Sequence, residues 1–325
     1  MKKLLKGILS VAVLGATIGS MVSCGGNKKT IAIVKFGTHT SLDEIESGVE
    51  ETIKEGLKDK YEIKKIDCNF QSDLINQGLT SIKDDNVECI VAIATPVAVA
   101  AANMYDKTPI VFSAVSDPEG AGILAEGVTN VTGTSDAMQI GSLIDLAYTV
   151  DSSITRIGYI YTESENNSLT NLAKLKSLSS EKGFSLVEEP IAKTADLTEA
   201  FNAINDEGID ALIVTDDNNV AAGMDNLANL AATNNIPMYC AADSEIKDGG
   251  MMGYSISYTA LAKKTGEQVL EIVKDGKSPN EIPVKYFDQP SDLNLYYNSD
   301  YLKVATGISI PESLLLEATD LASDN

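Results

Sequence analysis

The stretch Cys89-Ile90-Val91-Ala92-Ile93-Ala94-Thr95-Pro96-Val97-Ala98-Val99-Ala100 constrains the fold more than any other. A short apolar run stops at Thr95-Pro96 and a small-residue helical pattern follows. An unbroken apolar run of this length is a strand buried on both faces, as in a parallel sheet. It is far short of the roughly 18 residues of a membrane span. Thr95 suits a helix cap and Pro96 a first helical position, where the missing N–H costs nothing. The first turn of such a helix leaves N–H groups free at the carboxyl end of the sheet, which is an anion seat. The same residues also serve as an ordinary capped helix, and at this point both readings stand.

The unit repeats along the chain. Thr30–Phe36 reads as a strand, Asp43–Lys58 as a helix with Ile45, Val49, Ile53 and Leu57 on one face, Tyr61–Asn69 as a strand and Ser72–Asp84 as a helix. After the opening strand and helix come Thr108–Ala114 and Val128–Thr134, both strand-like. The pattern then restarts. Ile140–Val150, Asn167–Lys182, Leu197–Asn205 and Val220–Thr233 read as helices, alternating with strands at Arg156–Tyr161, Phe184–Glu189, Ala211–Val214 and Ile236–Ala242. Met251–Ile256 is a further strand, Tyr258–Lys274 a helix ended by Asp275-Gly276, and Val284–Asp288 and Leu293–Tyr297 are late strands or crossing segments. Ser299–Thr306 reads as a short helix, and a last helical stretch follows Pro311. Strands alternating with helices predict an α/β chain with parallel sheets. Ligands of such sheets bind beyond the carboxyl ends of the strands.

The two halves echo each other. IVAIATPVAVAA followed by TPIVFSAVSD has a counterpart in ALIVTDDNNVAAG followed by IPMYCAADSE. Each is a strand, a polar turn, an Ala-rich helix, a Pro-led strand and an acidic turn. Two similar α/β lobes are expected, and 325 residues suffice for both.

Several function classes are disfavoured. The formal net charge of −22 argues against nucleic acid, whose phosphates need clustered Lys and Arg. His39 is the one histidine and there is no tryptophan, so a histidine metal centre or a Ser-His-Asp triad has little to work with. Cys24, Cys68, Cys89 and Cys240 match neither zinc nor CxxC spacing. Gly120-Ala121-Gly122 is not a phosphate-loop motif. No metal, no cofactor and no enzymatic activity are expected.

The first residues read as an export signal. Lys2, Lys3 and Lys6 precede the apolar stretch Gly7–Val22, and Met21-Val22-Ser23-Cys24-Gly25-Gly26-Asn27 is similar to the bacterial lipoprotein box. This implies a signal peptide over 1–23, cleavage before Cys24, lipid (palmitate) on Cys24 and a tether over 24–29, holding the chain on the outer face of the cell membrane. Uncleaved anchoring and ordinary secretory cleavage are the alternatives.

Acids at strand ends are the main polar candidates. Asp117, Asp217 and Asp243 would sit on the cleft side of their sheets, where each either pairs with a ligand ammonium or makes a turn. Ser116 shares the first of these turns. Phe36 ends the first strand and either stacks on a ligand or packs in the core. His39 lies in a polar loop at the cleft edge. Glu165-Asn166-Asn167-Ser168 follows a strand and either bonds a ligand or caps the next helix.

With these residues in view, the chain resembles the substrate-binding lipoproteins of ABC importers, in the family described as tryptophan- or aromatic-amino-acid-binding-like. The matching pieces are Phe36…His39…Leu42-Asp43, Ala94-Thr95-Pro96, Ser116 to Gly122, Val131 to Asp136, Asn167-Ser168, Asp217-Asn218 and Ile308-Ser309-Ile310-Pro311-Glu312. The chain departs at Thr215-Asp216, where the family has Pro-Thr, and at Ser257, where an acid is common. The resemblance implies a type I periplasmic-binding fold: α/β, two Rossmann-like doubly wound parallel-sheet lobes joined by three crossings. The lobes expected are 30–135 plus 257–283 and 136–256 plus 284–325. It also implies that Thr95, Asn167, Ser168, Asp217 and Asp243 face the cleft.

The expected function is capture of a small molecule, an amino acid and in particular an aromatic one, by closure of the lobes and delivery to a membrane permease. The ligand carboxylate would sit on the N–H groups beyond Pro96 with Thr95, and the ammonium on Asp243 or Asp117. Asn167, Ser168, Asp217 and Asn218 would close from the second lobe. The partners expected are that ligand, the permease and ATPase subunits, and the membrane through the lipid. The protein itself is expected to be a monomer. Alternatives are a lipoprotein binding a sugar or nucleoside, or one that senses a ligand without transport.

Overall fold

A computed structural model describes residues 28–137 and 139–322. The export signal and the lipoprotein box lie outside them.

The first half runs β1 (Lys29–Lys35), α1 (Thr40–Leu57), β2 (Tyr61–Asp67), α2 (Ser72–Ser81), β3 (Val87–Ile93), α3 (Thr95–Met104), β4 (Ile110–Ser113) and β5 (Val131–Ser135). The second runs α4 (Ile140–Val150), β6 (Arg156–Thr162), α5 (Asn166–Lys182), β7 (Ser185–Ile191), α6 (Leu197–Asp206), β8 (Ala211–Val214), α7 (Asn218–Ala221), α8 (Met224–Thr233), β9 (Met238–Cys240), α9 (Asp243–Lys247) and β10 (Met252–Ser255). The chain ends with α10 (Tyr258–Val273), β11 (Lys285–Tyr286), β12 (Asn294–Tyr297), α11 (Ser299–Val304), α12 (Glu312–Glu317) and β13 (Thr319–Asp320).

The strands form two sheets, ordered β11-β5-β4-β3-β1-β2 and β13-β12-β10-β9-β8-β6-β7. All pairings are parallel except β10 with β12. Each sheet carries its own apolar core between flanking helices. The chain passes between the sheets three times: from β5 to β6, from β10 through α10 to β11, and from β11 to β12. Strand β11 pairs with β5, so residues 285–286 lie in the first sheet.

Burial follows strand position. β3 and β4 are central, and from Cys89 to Ser113 their residues are buried on both faces. Edge strand β2 is partly exposed throughout and carries Lys64 and Lys65, which blunt the open edge. Helices α1 and α10 pack closely because glycine meets alanine between them. A Cβ added at Gly48 would come within 2.8 Å of the Ala262 Cβ. The helix read over Val220–Thr233 is in fact two, α7 and α8, broken at Gly223. That backbone lies against α6, and a Cβ there would stand 2.4 Å from Leu197 Cδ1. The acidic turn read after β9 is the short helix α9.

Cys68, Cys89 and Cys240 are unpaired and buried. Among the described residues no helix is long and apolar enough to cross a membrane, and no group of His, Cys, Asp or Glu is arranged to hold a metal ion.

Candidate ligand-binding site

The carboxyl ends of the two sheets face each other. In the first, Ile93, Ser113 and Thr134 are register neighbours on β3, β4 and β5. The residues that follow therefore emerge side by side: Ala94-Thr95, Ala114 and Asp136. In the second, β6, β8 and β9 deliver Glu165 with Asn167, Asp216 with Asn218, and Ala242 with Glu245.

These rims face each other across a cavity of about 20 Å³. Its walls are His39, Ser41, Leu42, Thr95, Tyr258 and Asp136, with Ala94 and Ala114, on one side. Asn167, Asp216, Asn218 and Glu245, with Ala221 and Ala242, form the other. That is far below the roughly 300–1,000 Å³ of ligand pockets, so in this closed form the two rims nearly fill the site themselves.

The lobes are closed on each other. His39 Nε2 meets Asn218 Oδ1 at 3.2 Å, and Thr40 Oγ1 donates to Asp248 at 2.6 Å. The Ser41 and Ser244 hydroxyls bond each other, and Ser116 Oγ donates to Asp216.

Each functional side chain is set by local structure. His39 precedes the first turn of α1, and its ring stacks on Phe70, centroids 6.2 Å apart. Phe70 in turn meets Phe36 edge to face at 5.5 Å. The buried Lys35 anchors this corner: its ammonium bonds Asp43 and Glu46, tying the end of β1 to the start of α1. Burial alone would lower the Lys35 pKa, but those two acids hold it above its ordinary value. Desolvation pulls His39 down to about 4, only partly offset by Asn218, so the ring is neutral.

Ala94 and Ala114, whose strands lie side by side, both have positive φ, +78° and +55°. Ala94, with ψ 154°, occupies a region that is nearly glycine's alone. The twist turns the chain abruptly from β3 into α3 and aims that helix's first turn at the cavity.

Acids dominate the lining. Asp136 is 3% exposed. Its Oδ2 accepts from Tyr258 OH at 3.2 Å and its Oδ1 has no partner. Burial, and then the facing Asp216, push its carboxyl up to about 7. Asp216 accepts from Ser116 and Asn171, and burial raises it as well. Glu245, buried and raised by desolvation, accepts from Ala242 N at 3.2 Å. Behind the wall, Glu165 braces Asn218 and Asn219. Burial, then Asp217, push it up to about 8. Asn167 donates to the Asp216 carbonyl at 2.8 Å and leaves its own buried Oδ1 unpartnered. Among the described residues no Lys or Arg lines the cavity.

Of the residues expected from sequence, His39, Thr95, Asn167 and Asn218 meet at this cavity. The others lie elsewhere. Phe36 is in the first core. Pro96 faces a separate groove between α2 and α3, lined also by Ile75, Val99 and Met104. Ser116 reaches across to Asp216 but is not in the lining. Asp117 accepts from Gly120 N at 2.9 Å, which makes it a turn residue. Asp217 caps α7 through Asn219 and Val220 and is bonded by both Thr162 N and Ser168 Oγ, which occupies Ser168 too. Asp243 opens α9 and accepts from Ser244 N at 3.0 Å. The acids that do line the cavity are Asp136, Asp216 and Glu245, one of them at the end of the Val131–Asp136 motif and one directly before Asp217.

Two parallel-sheet lobes, crossed three times and closed over a polar cavity at their strand ends, define a type I periplasmic-binding fold. The family model for ABC transporter substrate binding proteins matches residues 30–322, and the chain belongs to that family. It is similar to the tyrosine-binding protein of Clostridioides difficile strain R20291, at 31% identity over 316 residues, covering 92% of this chain and 90% of that protein. Two solved structures share the fold. One is the ABC domain in complex with L-Trp from Streptococcus pneumonia, with TM-score 0.81, 24% identity, and 89% and 99% of the two chains covered. The other is the ligand-free, open structure of a Clostridium difficile substrate binding protein with adhesive properties, with TM-score 0.65, 28% identity, and 91% and 100% covered.

Proposed function

We propose that this protein is the extracytoplasmic receptor of an ABC importer for an amino acid with an aromatic side chain, which it captures by lobe closure and hands to a permease. One observation carries the amino-acid reading: the cavity is rich in acceptors and poor in donors. Three carboxyl groups and the unpartnered Asp136 Oδ1 and Asn167 Oδ1 converge there without a lining Lys or Arg. A buried acceptor left unbonded costs about 1–3 kcal/mol, so such a site selects a ligand that brings donors. An ammonium brings three and a positive charge.

The carboxylate end has a complement as well. Ser41 and Leu42 lie in the first turn of α1 and Thr95 in that of α3, where N–H groups lack helical partners, and with the Thr95 hydroxyl they line the first-lobe wall. Leu42, Tyr258 and the four alanines supply the apolar surface for a side chain. The named relative binds tyrosine, which favours an aromatic one. The lipoprotein box at Met21–Asn27 would hold the receptor at the membrane beside its permease.

A thermal-shift panel of amino acids, sugars and nucleosides on the purified protein tests this. A ligand at a hundred times its Kd adds about 2.7 kcal/mol. L-Tyrosine, L-phenylalanine or L-tryptophan should raise Tm. A shift with a sugar or nucleoside, and with no amino acid, would overturn the reading.

A further inference from the structure

Asp136 and Asp216 stand on opposite sides of the cleft. Asp136 follows β5, where the chain leaves the first sheet, and Asp216 follows β8 of the second. Closure brings both to one cavity wall to wall, with Ser116 between them bonded to Asp216. Of the groups facing the pair, Tyr258 donates to Asp136 and Asn171 to Asp216, and neither carries positive charge. Asp217 acts on Asp216 as a further acid, the Glu245 carboxyl nearby is raised by burial, and His39 is neutral. Lys174 acts on Asp216 from outside the lining. Asp136 Oδ1 is left without any donor.

We propose that Asp136 and Asp216 form a cation-operated latch, resting on the amino-acid reading above. Their like charges oppose closure of the empty protein, and the ligand ammonium, seated between them and donating to Asp136 Oδ1, converts that repulsion into the attraction that holds the lobes shut. Two carboxylates forced together out of water cannot both stay ionised, so an empty closed cleft needs a proton where a filled one has an ammonium. In the closed structure burial first, and then Asp216, raises the Asp136 carboxyl. The pair therefore does two things at once: it sets specificity for a cationic group and makes closure conditional on that group. Energetically, a ligand shifts the open–closed balance only by its differential affinity for the two forms. Neutralising the pair is an interaction made in the closed form alone.

The test is small-angle scattering of the purified protein at about pH 8, where both acids of an open cleft are ionised. Empty wild type should have the larger radius of gyration and contract on adding L-tyrosine. Asp136→Asn and Asp216→Asn remove the repulsion while keeping the shape, so each should be contracted when empty. Each should also narrow the preference for L-tyrosine over N-acetyl-L-tyrosine, which lacks the ammonium, by about tenfold or more. Variants as extended as empty wild type, with that preference unchanged, would overturn the latch. Should neither variant fold, empty wild type still decides it: lowering the pH from about 8 to about 7, still above the ordinary histidine midpoint of about 6.5, should contract the protein by protonating the pair, and no contraction counts against it. Failure of the amino-acid reading looks different, because L-tyrosine would then leave wild type extended while the empty variants still contract.

Discussion

His39 of the first lobe and Asn218 of the second meet across the closed cleft, with Nε2 3.2 Å from Oδ1. Asn218 gives its amide to Glu165, which leaves its oxygen for His39, so the histidine carries its proton on Nε2 and donates. Glu165 thereby orients, through Asn218, a residue of the other lobe.

Burial of the His39 ring, which that bond only partly offsets, makes acid stability depend on it. Its pKa lies below the ordinary value, at about 4. The unfolded chain takes up a proton as pH falls through about 6.5 and the closed form does not follow until about 4, so stability is lost across that window. Relative to His39→Gln, wild type should lose up to about 3 kcal/mol between those limits and nothing above pH 7. Urea unfolding of both proteins at several pH values measures the difference, in which effects of other titrating groups cancel. A constant difference would show that the ring titrates normally.

Asp217 and Asp117 should behave oppositely despite similar places in the sequence. Asp217 is 1% exposed and accepts from Thr162 N at 2.6 Å, Thr162 Oγ1 at 2.8 Å and Ser168 Oγ at 2.7 Å, besides capping α7. Asp217→Ala strands those buried donors and should cost about 3–5 kcal/mol. Asp117→Ala loosens one partly exposed turn and should cost under about 1 kcal/mol. Chemical denaturation of the two variants makes the comparison.

Ala94 should tolerate glycine where other alanines would not. Its backbone sits at φ 78° and ψ 154°, a strain of about 1–3 kcal/mol for a residue with a Cβ. Glycine removes that strain and adds about 0.5–1 kcal/mol of chain entropy cost. Ala94→Gly is expected to raise stability by about 1 kcal/mol. A loss of stability in urea would mean that the Cβ contacts outweigh the strain.

The thiols of Cys68, Cys89 and Cys240 should resist alkylation in the native state. All are buried, and desolvation pushes Cys68 up to about 11 and the other two well above the ordinary thiol value. Without thiolate there is little nucleophile. Their reaction with iodoacetamide at neutral pH should track global unfolding across a urea series, and fast labelling in buffer would contradict the burial.

Most of the architecture was legible in the chain. Central strands announce themselves by unbroken apolar runs such as Cys89–Ala94, and helices by faces such as Ile45, Val49, Ile53 and Leu57, because burial acts on local periodicity. The break at Gly223 was not legible, since its cause is Leu197 of another helix. The site divided the same way. Thr95, His39, Asn167 and Asn218 lie at the cavity because residues that follow strands must emerge at the carboxyl rim. Which acid faces inward was undetermined. Asp216 and Asp217 are adjacent, yet one lines the cavity and the other is consumed by Thr162 and Ser168. Sequence by itself determined the two-lobed α/β frame and the rim on which a ligand would lie. Tertiary structure alone decided the charge of that rim, because whether a carboxylate is satisfied or left waiting for a donor depends on neighbours far away in the chain, such as Ser116 for Asp216 and Tyr258 for Asp136.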